Sequence, residues 1–459
     1  MTGVIIVLLS TIAVCFLIVK KFYPAWSLFI IGLLTIVTVA IITGDPIATG
    51  KKATGLAAFD VLGIFGNLLK SRAGGIGMNI MMIGGFGYYM SKIGATSALV
   101  HLCTKPISCI NSPYVIMVLG YVIGVCLNVV LGSAVGLAIL MMVTVYPLML
   151  SAGVGRQSAC ASVAMTGAFG LSPLGANNMV ATKLTGIHVM NIFVDYQLVI
   201  APVALFLICI VHYFTQQYFD KKDLASGRIT QEDFVSQDLS DADKSEKAPA
   251  LYAIFPLIPL VLLFIFSPMI YSQIKLDIIN AVLASLILSF VVDCVMRRDI
   301  KQSFAHIKSF FEGMGKIFTS TVVLIICAEM FATGLTRSGG IATLINGASH
   351  LGSGYLIVYT VMFLIVGLST FVMGSGNAAF FSFAPMIPGI CQTVGGNAQW
   401  MLTGMQLASG CIRSMSPIAG CVIAIAGLAN VSPFDIVRRT ALPMLTGFIT
   451  IYVMSSMFV

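Results

Sequence analysis

Apolar segments close to the length of a bilayer crossing recur from one end of the chain to the other, and this fixes the fold class before any motif is considered. Residues 3–19 carry no charged side chain, and comparable stretches follow along the whole length. About 20 consecutive apolar residues in a helix cover the hydrocarbon layer. Only 9% of the residues are charged against 58% hydrophobic, which leaves a water-soluble domain of this size too little polar surface. The expected fold is all-α and polytopic. Lys20 and Lys21 follow the first segment without a small-residue cleavage site, so it reads as a retained span and not as a signal peptide.

The same setting changes the meaning of the other residue counts. A net charge of +8 would suggest a nucleic-acid partner in a soluble protein. Here the basic residues lie mostly in loops beside spans, where they orient the chain, and no nucleic-acid partner is expected. The eleven cysteines are odd in number, and Cys126, Cys160, Cys209, Cys327 and Cys421 sit inside apolar segments as small core residues. The five histidines show no metal-ligand spacing, so neither metal nor cofactor is expected. The chain has no GxxxxGK[ST] loop, no Ser-His-Asp arrangement and no G-x-S-x-G elbow, which argues against an ATP-driven pump or a hydrolase.

A polar, charged stretch at 219–248 divides the chain into halves, 1–218 and 249–459, and is expected to be a solvated cytoplasmic linker. The halves resemble each other at three places in the same order. "GSAVGLAILMMVTVYP" from Gly132 matches "GSGNAAFFSFAPMIP" from Gly374, a shift of 242; "MSKIGATSALV" from Met90 matches "LTRSGGIATLI" from Leu335, a shift of 245. "SPLG" at Ser172 matches "SPIAG" at Ser416, a shift of 244. Two repeats are a common plan of secondary transporters. Counted as five crossings plus one re-entrant hairpin per half, sixteen of the 25 Lys and Arg fall on one side of the membrane and seven on the other. Six crossings per half would give parallel repeats and a weaker bias. The stronger bias selects two inverted repeats, hairpins at about 113–150 (cytoplasmic side) and 354–392 (outer side), and both termini outside. Each half then has three scaffold spans before its hairpin and two transport spans after it.

Inversion brings the hairpin tips toward each other near the midplane. The tips carry Gly132 and Ser133 in one half, and Gly374, Ser375, Gly376 and Asn377 in the other. Unpaired backbone at that depth is tolerable where it is buried in protein or lines a cavity. The spans after the hairpins are interrupted in matching places, by Ser172-Pro173 and Ser416-Pro417. Proline removes a donor and unwinds the turn before it. Gln406, Ser409, Arg413 and Ser416 follow helical steps, as do Ser158, Ser162 and Thr166 before Ser172; Phe169 stands where the repeat would place the arginine.

An arginine deep in a span needs a partner. Arg413 therefore holds an anionic solute through its fork, pairs with Glu329 on another span, or snorkels to an interface. If it holds the solute, Glu329 is a free intramembrane acid and a candidate for ion coupling. Asp195 and Asp435 are expected in helix-capping or loop hydrogen bonds. Lys183, Arg438 and Arg439 are expected as interfacial anchors, and the stretches at 57–72 and 304–316 as helices on the membrane surface.

Several segments together resemble the DcuC family of anaerobic C4-dicarboxylate carriers, within the ion-transporter superfamily. They are "SRAGGIGMNIMMIGGFGYYMSKIGA", "INSPYVIMVLGYVIG", "MGSGNAAFFSFAPMIP", "RSMSPIAGCVIAIAGLANVSPFDIVRRTALPM" and the "FDKKD" that opens the linker, and the resemblance they carry extends over almost the whole chain. The resemblance implies succinate, fumarate or malate as substrate, succinate efflux or exchange in anaerobic metabolism, and a bacterial inner-membrane location. It also implies a homodimer of elevator type, in which a transport domain slides against a scaffold. By it, Ser133, Ser375, Gly376 and Asn377 are tip residues, and Ser172, Pro173, Ser416 and Pro417 mark unwound helices. The helical stripe adds Ser409 and Arg413 as residues expected to face the same solute, and Asn177, beside the first Ser-Pro, is expected with them. The sequence departs from the superfamily's sodium symporters, which carry Ser-Asn-Thr at both tips. It has Asn177 where the relative compared has an aspartate, so H+ and Na+ both stay open as the coupling ion. A cation/proton antiporter using Glu329, or a carrier of other small organic anions, is the alternative reading.

Overall fold

The computed structural model describes residues 2–20, 22–44, 46–47, 53–104, 112–230, 234, 249–271, 273–340, 343 and 354–459. The described chain is helical. In the first half it forms α1 (Thr2–Val19), α2 (Pro24–Thr43), α3 (Ala57–Gly74), α4 (Ile76–Lys92) and α5 (Ala95–Thr104). A helix pair follows, α6 (Pro113–Val130) and α7 (Ala134–Ser151), then α8 (Arg156–Met165) and α9 (Ala176–Thr185). The half closes with α10 (Val189–Ala225), which includes a wide π turn over Ile192–Gln197. The second half has α11 (Ala250–Ile265), α12 (Ile278–Arg297) and α13 (Ile300–Arg337), the last with a π turn at Phe318–Val322. There follow α14 (Gly354–Met373), α15 (Gly376–Phe383), α16 (Ile387–Val394), α17 (Ala398–Arg413), α18 (Gly420–Ala429) and α19 (Pro433–Ser456).

Local chemistry sets the ends of these helices. Pro24 and Pro113 occupy the first helical turn, where a missing N–H costs nothing. Asp277 and Asp299 accept from the backbone N–H of Asn280 and Gln302 at 2.9 and 3.0 Å and so cap α12 and α13. Eight of the described helices are long and apolar enough to cross a membrane: α2, α6, α7, α10, α12, α13, α14 and α19. The halves α8, α9 and α18 have 10 residues each, about 15 Å of helix, and none of them spans alone. Each arm of the α6–α7 pair has 18 residues, about 27 Å, and reaches most of the hydrocarbon depth. The first amphipathic stretch forms α3 as a separate helix. The second does not stand apart from the span after it, because α13 runs unbroken through its π turn to Arg337.

Three apolar clusters join the elements. The central one links α1, α2, the second half of α13, α15, α17 and the middle of α10. A second joins α5, α6, α7, α8 and α18, and a third joins α4, α11, α12 and the first half of α13.

Two expectations about charge are corrected here. The polar connector does not begin at residue 219: α10 continues to Ala225, and Asp220 and Asp223 are 3% and 2% exposed. The connector at 231–233 and 235–248 lies outside the described residues. Arg439 is not an interfacial anchor, since it is fully buried. Its Nη1 donates to Asp220 at 2.6 Å and to Ser158 Oγ at 2.9 Å, and its Nη2 donates to Asp223 at 2.8 Å. Arg438 also pairs with Asp223, and Gln216 donates to the Arg439 carbonyl at 3.0 Å. The cations and carboxylates balance, so the burial of each charge is offset by its neighbours. The cluster binds the end of α10 to the start of α19, the last helices of the two halves. For Asp435 the loop alternative holds: Ser432 caps α19, and Asp435 pairs with Arg228, in the loop after α10, at 3.2 Å. Asp195 accepts from Asn191 at 3.0 Å inside the π turn, and Lys183 is exposed in the last turn of α9.

Replacing Arg439 with Ala leaves Asp220 and Asp223 buried with too few partners, a loss of about 3–5 kcal/mol. Thermal unfolding of the detergent-solubilised variant is expected to begin at a clearly lower temperature than that of the parent protein.

Candidate functional site

The candidate site is built from two helix-joining tips and two interrupted helices. At the first tip α6 ends at Val130 and Ser133 caps α7, its hydroxyl accepting from Gly136 N at 3.2 Å. At the second, Ser375 caps α15 by accepting from Ala378 N at 3.3 Å. The tips thus present the same device, a serine that pairs one of the N–H groups a helix start leaves open. They differ in exposure: Gly132 and Ser133 are exposed, whereas Gly374 and Gly376 are buried.

Residues 166–175 and 414–419 are the interruptions. The first contains Gly170, in the left-handed region at φ +56°, and Ser172-Pro173; the second contains Ser416-Pro417. Each tip lies against an interruption. A Cβ on Gly132 would fall 3.8 Å from Ser172 Oγ. Gly374 has φ +65°, and a Cβ there would meet Ile418 O at 2.7 Å. Gly376 lies against Ser409, whose carbonyl oxygen would be 3.0 Å from its Cβ, and Ser416 Oγ donates to Phe371 O at 2.7 Å. Asn377 follows on the first turn of α15, half-buried.

The interruptions also meet each other. A side chain at Gly410 would collide with the Ala168 carbonyl, so α17 approaches the first interruption backbone to backbone. Gln406 Nε2 donates to Gly170 O at 3.4 Å, and Arg413 Nη2 donates to Gly167 O. Gly167 in turn packs on Ala134, the first residue of α7. Arg413 is therefore the cation at the junction of the two interruptions, beside the first tip.

Several polar atoms around this junction are buried without a hydrogen-bond partner: Arg413 Nε, Ser172 Oγ, Asn177 Oδ1, Gln406 Oε1 and Ser414 Oγ. Buried polar groups are normally paired, and a cluster of open ones marks a place where something polar binds. The first turns of α9 and α18 open from the interruptions with unsatisfied N–H groups and the positive ends of their dipoles, which favour an anion. Among the described residues no carboxylate pairs with Arg413. Glu329 is bound instead to Arg72, so neither the Arg413–Glu329 pair nor a free Glu329 occurs. The reason is position: Glu329 lies on the second half of α13, which packs on α3, and Arg72 is at the end of α3.

Of the two polar stripes, only parts reach the site. Ser158 enters the α10–α19 ion cluster, Ser162 donates to Met117 O at 2.9 Å, and Thr166 donates to Val163 O at 2.8 Å. Ser172 lies beyond the end of α8 and off that helical face. In the second stripe Gln406, Ser409 and Arg413 share α17, with Ser409 donating to Gln406 O at 2.7 Å. Ser416 and Pro417 lie past its end, as Pro173 lies past the end of α8. Sequence reasoning missed Gly167, Ser414 and the Asn178–Gln197 pair, which holds the first interruption in place: Asn178 donates to Ser172 O at 2.9 Å and accepts from Gln197 at 2.9 Å. For Gly167, Ser414 and Asn178 the position in or beside the Ser-Pro segments was the available signal; Gln197, 19 residues beyond Asn178, carried none.

The pattern that defines the C4-dicarboxylate anaerobic carriers, DcuC, matches residues 2–458. The anaerobic C4-dicarboxylate transporter DcuC of Escherichia coli K12 is 32% identical over 442 residues, covering 96% of this chain and 94% of that protein. The protein of the same name from Shigella flexneri matches to the same extent. Among solved structures, MtrF of Neisseria gonorrhoeae, described as one of a class of antimetabolite efflux pumps, superposes with a TM-score of 0.57. It covers 94% of this chain and 95% of its own at 13% identity, a likeness of fold alone.

Two outcomes follow from the geometry. In a background without other reactive cysteines, Ser133→Cys is expected to react with a hydrophilic maleimide faster than Ser375→Cys, as mass spectrometry of the labelled protein reads directly. Gly374→Ala is expected to lower the unfolding temperature, since a left-handed conformation alone costs a non-glycine residue roughly 1–2 kcal/mol and the added Cβ also meets Ile418.

Proposed function

Because the chain belongs to the DcuC family, we propose that it is a secondary carrier of C4-dicarboxylates such as succinate, working in efflux or exchange across the bacterial inner membrane. One observation supports the site assignment above the rest. Arg413 keeps a buried, unpartnered Nε at the junction of both interruptions, within a group of open hydroxyl and amide oxygens. A guanidinium fork matches a carboxylate. In this reading Arg413 holds one carboxylate, and the Ser172 hydroxyl, the amide N–H groups of Asn177 and Asn377 and the helix-start N–H groups at Ser133, Ser375 and Gly376 donate to the other; the Ser409 and Ser416 hydroxyls join them by releasing Gln406 O and Phe371 O. Pro173 and Pro417 keep those groups out of helical pairing.

The same proposal includes inverted repeats, with tips that enter from opposite sides. It is supported by the serine-capped tip and the interruption that follow in the same order in each half, and by the bias of sixteen basic residues against seven. Alternating access would carry the tips and interruptions as one body past a scaffold of the first three spans of each half, in a homodimer with both termini periplasmic. The antiporter reading used a free acid at Glu329 together with Asn and Ser oxygens; the pairing of Glu329 with Arg72 removes the acid and leaves that reading only the neutral oxygens of Ser172, Asn177 and Ser414.

Counterflow of labelled succinate into proteoliposomes loaded with unlabelled succinate tests this. The parent protein is expected to exchange, and Arg413→Ala to lose at least about 30-fold in rate, since removing one partner of a desolvated charge pair costs about 2 kcal/mol or more. Exchange in the parent that is undiminished in the variant would return Arg413 to a structural role. Silence of the parent toward succinate, fumarate and malate would overturn the substrate class. In the same vesicles, net uptake under an imposed pH jump or Na+ gradient identifies the coupling ion.

A further inference from the structure

A cavity of about 850 Å³ lies between α3, the chain just after α2 and the second half of α13. None of its walls belongs to the tips or interruptions. Asp60, Ile64, Asn67 and Ser71 line it from α3 at steps of four, three and four residues, so one face of that helix forms the wall. Thr333 and Arg337, one turn apart on α13, face them, and Ile47 and Leu68 complete an apolar side.

The charges in this cavity do not cancel. Asp60 is already satisfied: its carboxylate accepts from the Thr54 N–H at 2.6 Å and from the Thr54 hydroxyl at 2.7 Å, which holds it below the usual carboxylate range. Lys70 and Arg337 both face the cavity, and among the described residues neither has an acidic partner. Arg337 donates from Nη1 to Ile47 O at 3.0 Å, which fixes the guanidinium at the wall. The nearby Arg72 is engaged by Glu329. Two cations against one carboxylate leave a single positive charge in excess.

The surroundings of α3 indicate where a matching anion comes from. Leu56, just before α3, and Phe59 and Leu62 on it are 53%, 58% and 50% exposed. An amphipathic helix with such a side rests in the membrane interface, where lipid headgroups reach its polar face. We propose that this cavity seats the phosphodiester of an anionic phospholipid, held by Lys70 and Arg337, with the upper acyl chain against Ile47, Ile64 and Leu68. A singly charged phosphodiester meets the single excess charge, and arginine suits phosphate through its fork. The proposal is independent of the transported solute.

Native mass spectrometry of the full-length detergent-solubilised protein, titrated separately with phosphatidylglycerol, phosphatidylcholine and inorganic phosphate, tests it. The parent protein is expected to retain phosphatidylglycerol over phosphatidylcholine, with the preference falling by about 30-fold in Lys70→Gln/Arg337→Gln, as two basic contacts to an anionic lipid imply. The charge-keeping Lys70→Arg/Arg337→Lys pair is expected to retain the preference, which separates loss of charge from loss of fold. Equal retention of the two lipids by the parent, or an unchanged preference in the glutamine pair, would overturn the proposal. Displacement of the lipid by millimolar phosphate would overturn its lipid half by showing a site for the free anion.

Discussion

In a lipid interior no water is present to pair an open N–H or C=O, and the arrangement of this chain follows from that constraint. Two spans are interrupted by proline in mid-course, and each interruption leaves backbone that lipid cannot face. The structure answers by covering each interruption with a serine-capped tip and by pressing the interruptions on one another. The approach of Gly410 to the Ala168 carbonyl is possible because glycine adds no Cβ there. The order of elements after each tip, an interrupted helix and then a long closing helix, serves the same end: the exposed backbone is collected in one place and walled by α10 and α19.

That collection point is electrically lopsided. Phe169, buried in the first interruption, stands where a second arginine would be placed by analogy with Arg413. One guanidinium then serves a region in which the remaining partners are neutral hydroxyls, amides and helix starts. A solute with two carboxylates would meet a strong point charge at one end and a set of dipoles at the other. Orientation in the site would be fixed by this difference even for a symmetric molecule.

The all-helical, multi-pass fold was legible in the sequence because it depends on composition and segment length. The tips and interruptions were legible for a local reason: glycine, serine and proline act on the backbone beside them. Partners distant in the chain were not. Nothing near Glu329 in sequence points to Arg72, which lies 257 residues away. Arg438 and Arg439 followed the usual pattern of basic residues at a span edge; the burial of Arg439 and the pairing of both depend on acids that composition had assigned to the connector. The stripe of Ser158, Ser162 and Thr166 had the right spacing for a helix face, yet the face it marked packs on α6 and α10, since the helix stops before Ser172.

The ion cluster that joins α10 to α19 bears on how the two halves hold their positions against each other. Arg439 grips Asp220 and Asp223 more than two hundred residues earlier in the chain. The halves are therefore fastened by side chains at the point where the covalent connector leaves α10. Beyond that point the described chain adds contacts of its own: Arg228 pairs with Asp435 of α19, and Phe234 lies against Gly155. Separating α10 from α19 would mean parting two arginines from two buried carboxylates, so the closing helices of the two halves move as one piece.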